Sequence, residues 1–356
     1  MLFSRSIVES SLYFELFFSK IGAVFNIFHL FVLTRKQMMT SSINVIMIGI
    51  ALCDLFLMLN VIRGSMSHVD PIGTDCSPPP SLFEKRFDWI LVSAHVGFRQ
   101  CSAWLAVLIS LVMYLIITDI TNQNSRFSKL AYGFKTVSLS FLICVICAAF
   151  YFFHHEFVLT GTWRPEKTCD DYDQNREEPI YEMKCIELFE AHEGLFARMR
   201  LVFEGVVVKL IPCLLLPTLT CLLIYELRKT QLKFGNAGVS NSRKEARKSQ
   251  QYRTTVLVIF ISFTFLLSEL PIGFSEICEA IYHNDPIAEK ITKTVGFMCD
   301  AMFTANSSIH CLIYFSFSLQ YRKTVFKLLK LQCCKKRSTQ VTTVQSVTKL
   351  SNSQNK

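Results

Sequence analysis

Apolar residues in this chain gather into seven long blocks, parted by short stretches rich in charge and turn-forming residues. The blocks run over Tyr13–Leu33, Ile43–Ile62, Trp89–Ile117, Lys135–His155, Leu201–Glu226, Thr254–Tyr282 and Ile291–Ser316. A helix needs roughly 20 apolar residues to cross ~30 Å of hydrocarbon, and each block meets that length. Lipid offers no partner to an unpaired backbone amide, so each block is expected to satisfy its own hydrogen bonds as a helix. The pattern predicts an all-α membrane protein, a seven-transmembrane helix bundle with a short amphipathic eighth helix. The expected division is a short N-terminal segment (1–12), the membrane domain (13–317), a basic helix (318–337) and a tail (338–356). That tail is rich in Ser, Thr, Gln and Asn and is expected to be disordered. No internal repeat is visible. A cleavable leader is not expected, because the first block opens with Glu9 and Glu15 and has no small-residue cleavage site.

Composition narrows the class. Only 18% of residues are charged and 51% are hydrophobic, whereas soluble domains carry about 25% charged residues. A soluble enzyme is therefore disfavoured. Charge is also unevenly placed. Arg35 and Lys36 follow the first block, and residues 227–253 hold eight basic residues against one acid. Arg322, Lys323, Lys327, Lys330, Lys335, Lys336 and Arg337 follow the last block with no acid among them. Residues 156–197, by contrast, carry eleven acids against four basic residues. Basic connections stay cytoplasmic, so the expected topology in the plasma membrane has the N-terminus and the acidic segment (156–200 as a loop) outside, and the C-terminus inside. The basic stretches flank spans and lack interleaved aromatics, which speaks against nucleic acid. They suit contact with anionic membrane lipid.

No catalytic constellation is present: no His-Glu-x-x-His, no paired Cys-x-x-Cys motifs, no Gly-rich phosphate loop and no Gly-x-Ser-x-Gly. His154 and His155 are adjacent, and on a helix neighbouring side chains diverge by about 100°, a poor arrangement for shared metal ligation. An enzyme is not expected. Among the polar groups inside the blocks, Asn26, His29, Asp54, Arg99, Glu269, Asp300, Asn306 and His310 stand out. Each ionisable one costs roughly 2.5–3.5 kcal/mol at membrane depth, so they are expected to face the bundle interior. Cysteines within the blocks read as small apolar side chains. Cys76, Cys169 and Cys185 fall in the outward connections, where one disulfide is possible; Cys76–Cys185 would tie the acidic segment to the second connection. Cys333 and Cys334, beside the basic stretch, suit palmitoylation, the alternative being two unmodified thiols.

Several motifs sit in order along these blocks. Asn26, then Asn44 with Asp54, match polar landmarks in the first two helices of rhodopsin-like receptors. Pro217 with Tyr225 resembles that family's fifth-helix pair, and Phe265 with Pro271 its sixth-helix kink. His310-Cys-Leu-Ile-Tyr314, followed by Tyr321-Arg322, stands where Asn-Pro-x-x-Tyr and the eighth helix begin. Longer strings, including Thr40-Ser-Ser-Ile-Asn-Val-Ile-Met-Ile-Gly, Cys101-Ser-Ala-Trp-Leu and Asn306-Ser-Ser-Ile-His-Cys-Leu-Ile, resemble nematode serpentine chemoreceptors of class W. That group is similar to FMRFamide and other neuropeptide receptors. The resemblance implies a G-protein-coupled receptor that senses an extracellular peptide or small molecule and signals to a heterotrimeric G protein. Two departures stand out. Val112-Met113-Tyr114 occupies the place of an acid, an arginine and an aromatic, so a non-signalling binding receptor is an alternative. Asp88 stands at the usual third-helix cysteine.

The resemblance also implies sites. Asp54, Ser102 and Asn306, with His310 in place of an asparagine, map onto a sodium pocket; a plain hydrogen-bond network is the other reading. Arg99 and Glu269 map to facing positions at the floor of the ligand cavity, with Trp104 and Asp300 as further ligand contacts. That pair is expected either to be broken by ligand, letting the sixth helix pivot at Pro271, or to be a permanent bridge. The acidic segment and the resemblance together suit a cationic ligand such as an Arg-Phe-amide peptide. A transporter or channel would spread polar residues along broken helices, whereas here they cluster in the second, third, sixth and seventh.

Overall fold

Each of the seven apolar blocks falls on a helical span, the fourth running past its helix end into the hairpin. The computed structural model describes residues 2–67, 78–119, 126–165, 176–235, 241–282 and 285–329. The first four spans are α1 (Leu2–Leu33), α2 (Ser42–Ser67), α3 (Leu82–Thr118) and α4 (Leu130–Phe152). The fifth is compound: α5 (Glu187–Phe203), a π-helical segment (Glu204–Leu210) and α6 (Ile211–Gly235) follow one another with helical backbone at both junctions. The sixth and seventh are α7 (Asn241–Ile281) and α8 (Pro286–Phe317), and a short α9 (Leu319–Leu328) follows. The first five spans are long and apolar enough to cross a membrane by that measure alone. The last two are equally long and carry Glu269, Glu276, Asp300 and His310.

The order of packing closes a ring. α1 lies against α2 and α8, α3 packs on α2, α4 and α6, and α7 bridges the fifth span to α8. Polarity is inverted relative to a soluble protein. Leu139, Leu142, Ile143, Val145 and Ile146 of α4 are exposed, while Asn26, His29, Asp54 and Ser268 are fully buried. One apolar core (Val32, Ile46, Ile50, Leu105, Val112, Tyr321) joins α1, α2, α3 and α9. A second (Leu57, Val107, Leu216, Phe265, Phe303) joins α2, α3, α6, α7 and α8.

Local chemistry sets the helix ends. Three consecutive prolines, Pro78–Pro80, precede α3, whose start is a capping box: Ser81 Oγ accepts from the Glu84 amide, and the Glu84 carboxylate accepts from the Ser81 amide at 2.7 Å. Asp285 caps α8 at the Ile287 amide, 2.9 Å, with Pro286 as the first helical residue. Ser318, with extended backbone, separates α8 from α9 and accepts from the Tyr321 amide.

Four boundaries differ from the sequence expectation. α1 starts at Leu2, because no proline or glycine interrupts the chain before Gly22, so residues 2–12 continue the first helix. Most of the basic stretch 227–253 is helix, as the ends of α6 and α7, which suits its Lys, Arg, Glu, Gln and Ala content. The fifth span begins well before Leu201. The all-α expectation meets one exception: β1 (His155–Trp163) and β2 (Glu178–Cys185) form an antiparallel hairpin, rich in β-branched and aromatic residues. α4 accordingly stops at Phe152, and its end is the hairpin's root. Cys76, Cys169, Cys333, Cys334 and the tail lie outside the described residues.

Gly133 marks a tight seam against backbone. A Cβ there would sit 2.8 Å from both the Cα and the carbonyl oxygen of Ser42, which are backbone and cannot give way. Gly133→Ala is therefore expected to push α4 from α2 and destabilise the protein by about 1–3 kcal/mol. Gly64→Ala, where a Cβ meets nothing within 4 Å, serves as the neutral control. Thermal denaturation of the purified proteins would compare them.

Candidate functional site

At the hairpin end of the bundle, α3, the fifth span, α7 and α8 enclose a cavity of about 290 Å³. Its centre is Arg99. The guanidinium donates to Glu269 through Nη2 at 2.8 Å and through Nε at 3.2 Å, and through Nη1 to Asp300. It also lies 5.1 Å from the Phe303 ring centroid. The facing pair expected from sequence is thus one side of a triad that joins α3, α7 and α8, with Asp300 in the second carboxylate position.

Two further ion pairs line the same cavity. Lys209 contacts Glu276 at 2.8 Å, between the π segment and α7, and Arg200 contacts Glu204 at 2.9 Å within the fifth span. Backbone geometry makes this possible. In an α-helix, residues five apart point about 140° from one another, whereas the i→i+5 bonding of a π segment brings them towards one face. Glu204 and Lys209 both reach the cavity for that reason. The close approach of the two helices rests on paired glycines: a Cβ on Gly205 would stand 2.8 Å from the Gly273 carbonyl oxygen. Counting Glu279, the cavity presents five carboxylates and three cations. Glu276 Oε2, His95 Nδ1 and Arg200 Nε are buried there without a hydrogen-bond partner among the described residues.

Trp104 is not part of this cavity. It stands five residues beyond Arg99 on α3, about 140° around the helix, and lines a separate cleft with Leu108, Leu139, Ile143 and Phe203. Sequence reasoning passed over Lys209, Glu276, Arg200 and Glu204. Lys209 and Glu276 were visible as charges inside apolar blocks, whereas their convergence depends on the π segment.

Below the cavity, Asp54 is fully buried. Ser102 Oγ donates to one of its oxygens at 2.8 Å, and His310 Nδ1 lies 2.9 Å from the other. Asn306 turns away, its Oδ1 accepting from Thr264 of α7 at 2.8 Å. Both carboxylate oxygens of Asp54 and the amide oxygen of Asn306 thus take part in hydrogen bonds, and a ring nitrogen of His310 stands beside Asp54. Beside it, a small cavity of about 50 Å³ is lined by Met47, Ser110, Met113, Phe265 and Tyr314.

These spans and their polar landmarks are those of a known receptor group. The chain matches, over residues 13–332, the family described as serpentine type seven-transmembrane G-protein-coupled chemoreceptor Srw. It belongs to the Srw receptor family. It is also similar to the G-protein coupled receptor dmsr-1 of Caenorhabditis elegans, 22% identical across 90% of this chain and 69% of the relative.

In this Srw receptor the remaining motif positions divide by environment. Tyr314 Oη donates to Asn44 at 2.7 Å, locking α8 to α2. The buried Tyr321 hydroxyl meets His29 Nδ1 at 3.0 Å, so His29 has the interior partner expected of it. Phe265 packs in the second core, and Pro217 and Pro271 lie inside α6 and α7. Val112 is buried in the first core, while Met113 and Tyr114 pack against Leu223 and Leu227 of α6. Tyr225 is 63% exposed, with Lys229 beside its ring, and does not point into the bundle. Asp88, at the place of the usual cysteine, pairs with Arg63 of α2 at 2.8 Å. Cys185 lies against His154 and His155.

Removing Arg99 strands two acids in the bundle. Arg99→Met is expected to cost about 3–5 kcal/mol, because breaking a buried pair leaves an uncompensated charge, and adding Glu269→Met should recover much of the loss. Melting temperatures of the single and double variants would show it. For the network, replacing choline by sodium should leave the wild-type melting temperature unchanged. His310→Asn, which frees an Asp54 oxygen, should introduce a sodium-dependent rise.

Proposed function

We propose that this Srw receptor is gated by a cationic ligand, of the Arg-Phe-amide peptide type, entering from the hairpin end. The observation that carries the reading is the excess of carboxylates in a cavity whose central ion triad joins three helices. A ligand guanidinium or ammonium entering beside Glu276 and Glu279 finds negative charge in a confined, poorly solvated space, where attraction is strong. It then competes with Arg99 for Glu269 or Asp300. Glu269 is two residues before Pro271, where α7 lacks a backbone donor and bends most easily. Exchange of partners at Glu269 is thereby placed to reorient the far half of α7. In this reading the hairpin end is extracellular, with the acidic 156–197 segment drawing the ligand in. The far end, with Arg35, Lys36, Arg322, Lys323 and the basic ends of α6 and α7, is cytoplasmic and meets the G protein and anionic lipid. Coupling there proceeds without a third-helix arginine, since Met113 fills that place.

The test uses receptor expressed in cells with a G-protein dissociation sensor. An Arg-Phe-amide peptide is compared with the same peptide carrying citrulline, which keeps the shape and loses the charge. Potency should fall about 10- to 100-fold with citrulline, the size of one charged hydrogen bond. Glu276→Gln should weaken the arginine peptide and leave the citrulline peptide little changed. Equal potency of the two peptides on the wild-type receptor would remove the cationic-ligand reading.

A further inference from the structure

At the root of the hairpin, outside the membrane-spanning helices, three metal-ligating side chains converge. α4 ends at Phe152, and the chain turns before entering β1 at His155. His154 and His155 are therefore not consecutive residues of one helix, and the divergence expected of them does not apply. Their rings lie 4.4 Å apart, with the two Nδ1 atoms 3.0 Å from one another. Cys185, the last residue of β2, is the direct cross-strand partner of His155, and side chains so paired share one face at close range. One ligating atom from each of the three residues lies within 4.8 Å of the others.

We propose that His154, His155 and Cys185 form a binding site for a zinc-class transition-metal ion. Two imidazole nitrogens and a thiolate are a ligand set suited to zinc, with the fourth tetrahedral position left for water. Donors around a tetrahedral zinc lie about 3.3–3.6 Å apart, given bonds of about 2.0–2.3 Å, so small rotations of these side chains suffice. The surroundings favour a fixed site. His154 is 3% exposed, and its Nε2 has no hydrogen-bond partner among the described residues. Phe189 packs on the His154 ring at 4.1 Å, and Trp89 of α3 on His155 at 4.8 Å. The Ile186 amide donates to the His154 carbonyl at 3.2 Å, holding β2 to the end of α4. The nearby cation, Arg200, is itself matched by Glu204. On binding, the Cys185 thiol releases its proton to solvent and a metal–sulfur bond forms, with no change of oxidation state. Metal would then clamp α4 to both strands of the hairpin. Access from outside the cell rests on the orientation proposed above; binding itself does not.

The experiment titrates purified full-length receptor in nanodiscs with Co²⁺ alone and records its absorption, then adds Zn²⁺. Wild type should develop tetrahedral cobalt bands together with a sulfur-to-cobalt charge-transfer band, and Zn²⁺ should erase both. Cys185→Ser should abolish the charge-transfer band, and His155→Ala should weaken cobalt binding by more than about tenfold, since losses even beyond the ligating shell reach that size. Should Cys185→Ser fail to fold, Cys185→His supplies a second test: it keeps three ligands and should retain the tetrahedral bands without the sulfur band. A wild-type receptor with no sulfur-to-cobalt band, as a thiol already held in a disulfide would give, overturns the proposal. So does a sulfur band that persists in Cys185→Ser or Cys185→His.

Discussion

A charge at membrane depth is costly unless it finds an opposite charge, and Arg99 is where this receptor meets that demand. Its guanidinium takes acids from two other helices, Glu269 of α7 and Asp300 of α8, so the relative placement of three spans is set by one side chain. The Lys209–Glu276 pair adds the fifth span to the same web. Apolar packing could hold these helices together, but lipid tails are as apolar as the leucines they would replace, and so give little preference for one helix rotation over another. The ion pairs supply that preference. They fix which faces of α3, α7 and α8 turn inward, and the cavity is the space left between the paired groups.

The two halves of the bundle are consequently unlike. The hairpin half is held by charge around a cavity, and the far half by apolar cores and tyrosine hydroxyls, Tyr314 on Asn44 and Tyr321 on His29. Asp54, Ser102 and His310 lie between, with Thr264 and Asn306 alongside. α7 takes part in both halves: Glu269 and Glu276 belong to the charged web, while Thr264 and Phe265 belong to the polar and apolar contacts below. Pro271 falls inside this helix, close to Glu269. A change of partner at Glu269 therefore acts on an element that already touches the far half.

How much of this could be read from the chain depends on the range of the physics involved. The spans were legible because hydrocarbon imposes a length that no local detail can evade, and the Arg99–Glu269 pair because the family pattern sets both at facing positions on the cavity floor. Asp54 with Ser102 and His310 followed from the family pattern, and only the structure showed Asn306 bonded to Thr264 instead. The hairpin was missed because its strands lie in an acidic segment whose charge, not its β-branched content, drew attention. Lys209 with Glu276 was missed for a different reason: their meeting needs a π segment and a Gly205–Gly273 contact, neither of which has a local signature. Trp104 was misplaced by helical phase, a matter of 140° that sequence proximity to Arg99 concealed.

The loss of the third-helix arginine acquires a meaning from this geometry. In the family pattern that arginine contacts the sixth helix at the G-protein end. Here the position is Met113, packed among Leu223 and Leu227. The ionic link between the third and sixth helices has instead been placed at the cavity floor, as Arg99 with Glu269. A restraint at the far end must be released through the length of the bundle, by a conformational change that ligand only indirectly drives. In the function proposed above, one at the cavity floor is within reach of the ligand itself, and a cation that binds Glu269 better than Arg99 does shifts the equilibrium by that difference in affinity. Retaining the same two helices as the ones restrained while moving the charge to the ligand's end makes the absence of the arginine compatible with a receptor that signals.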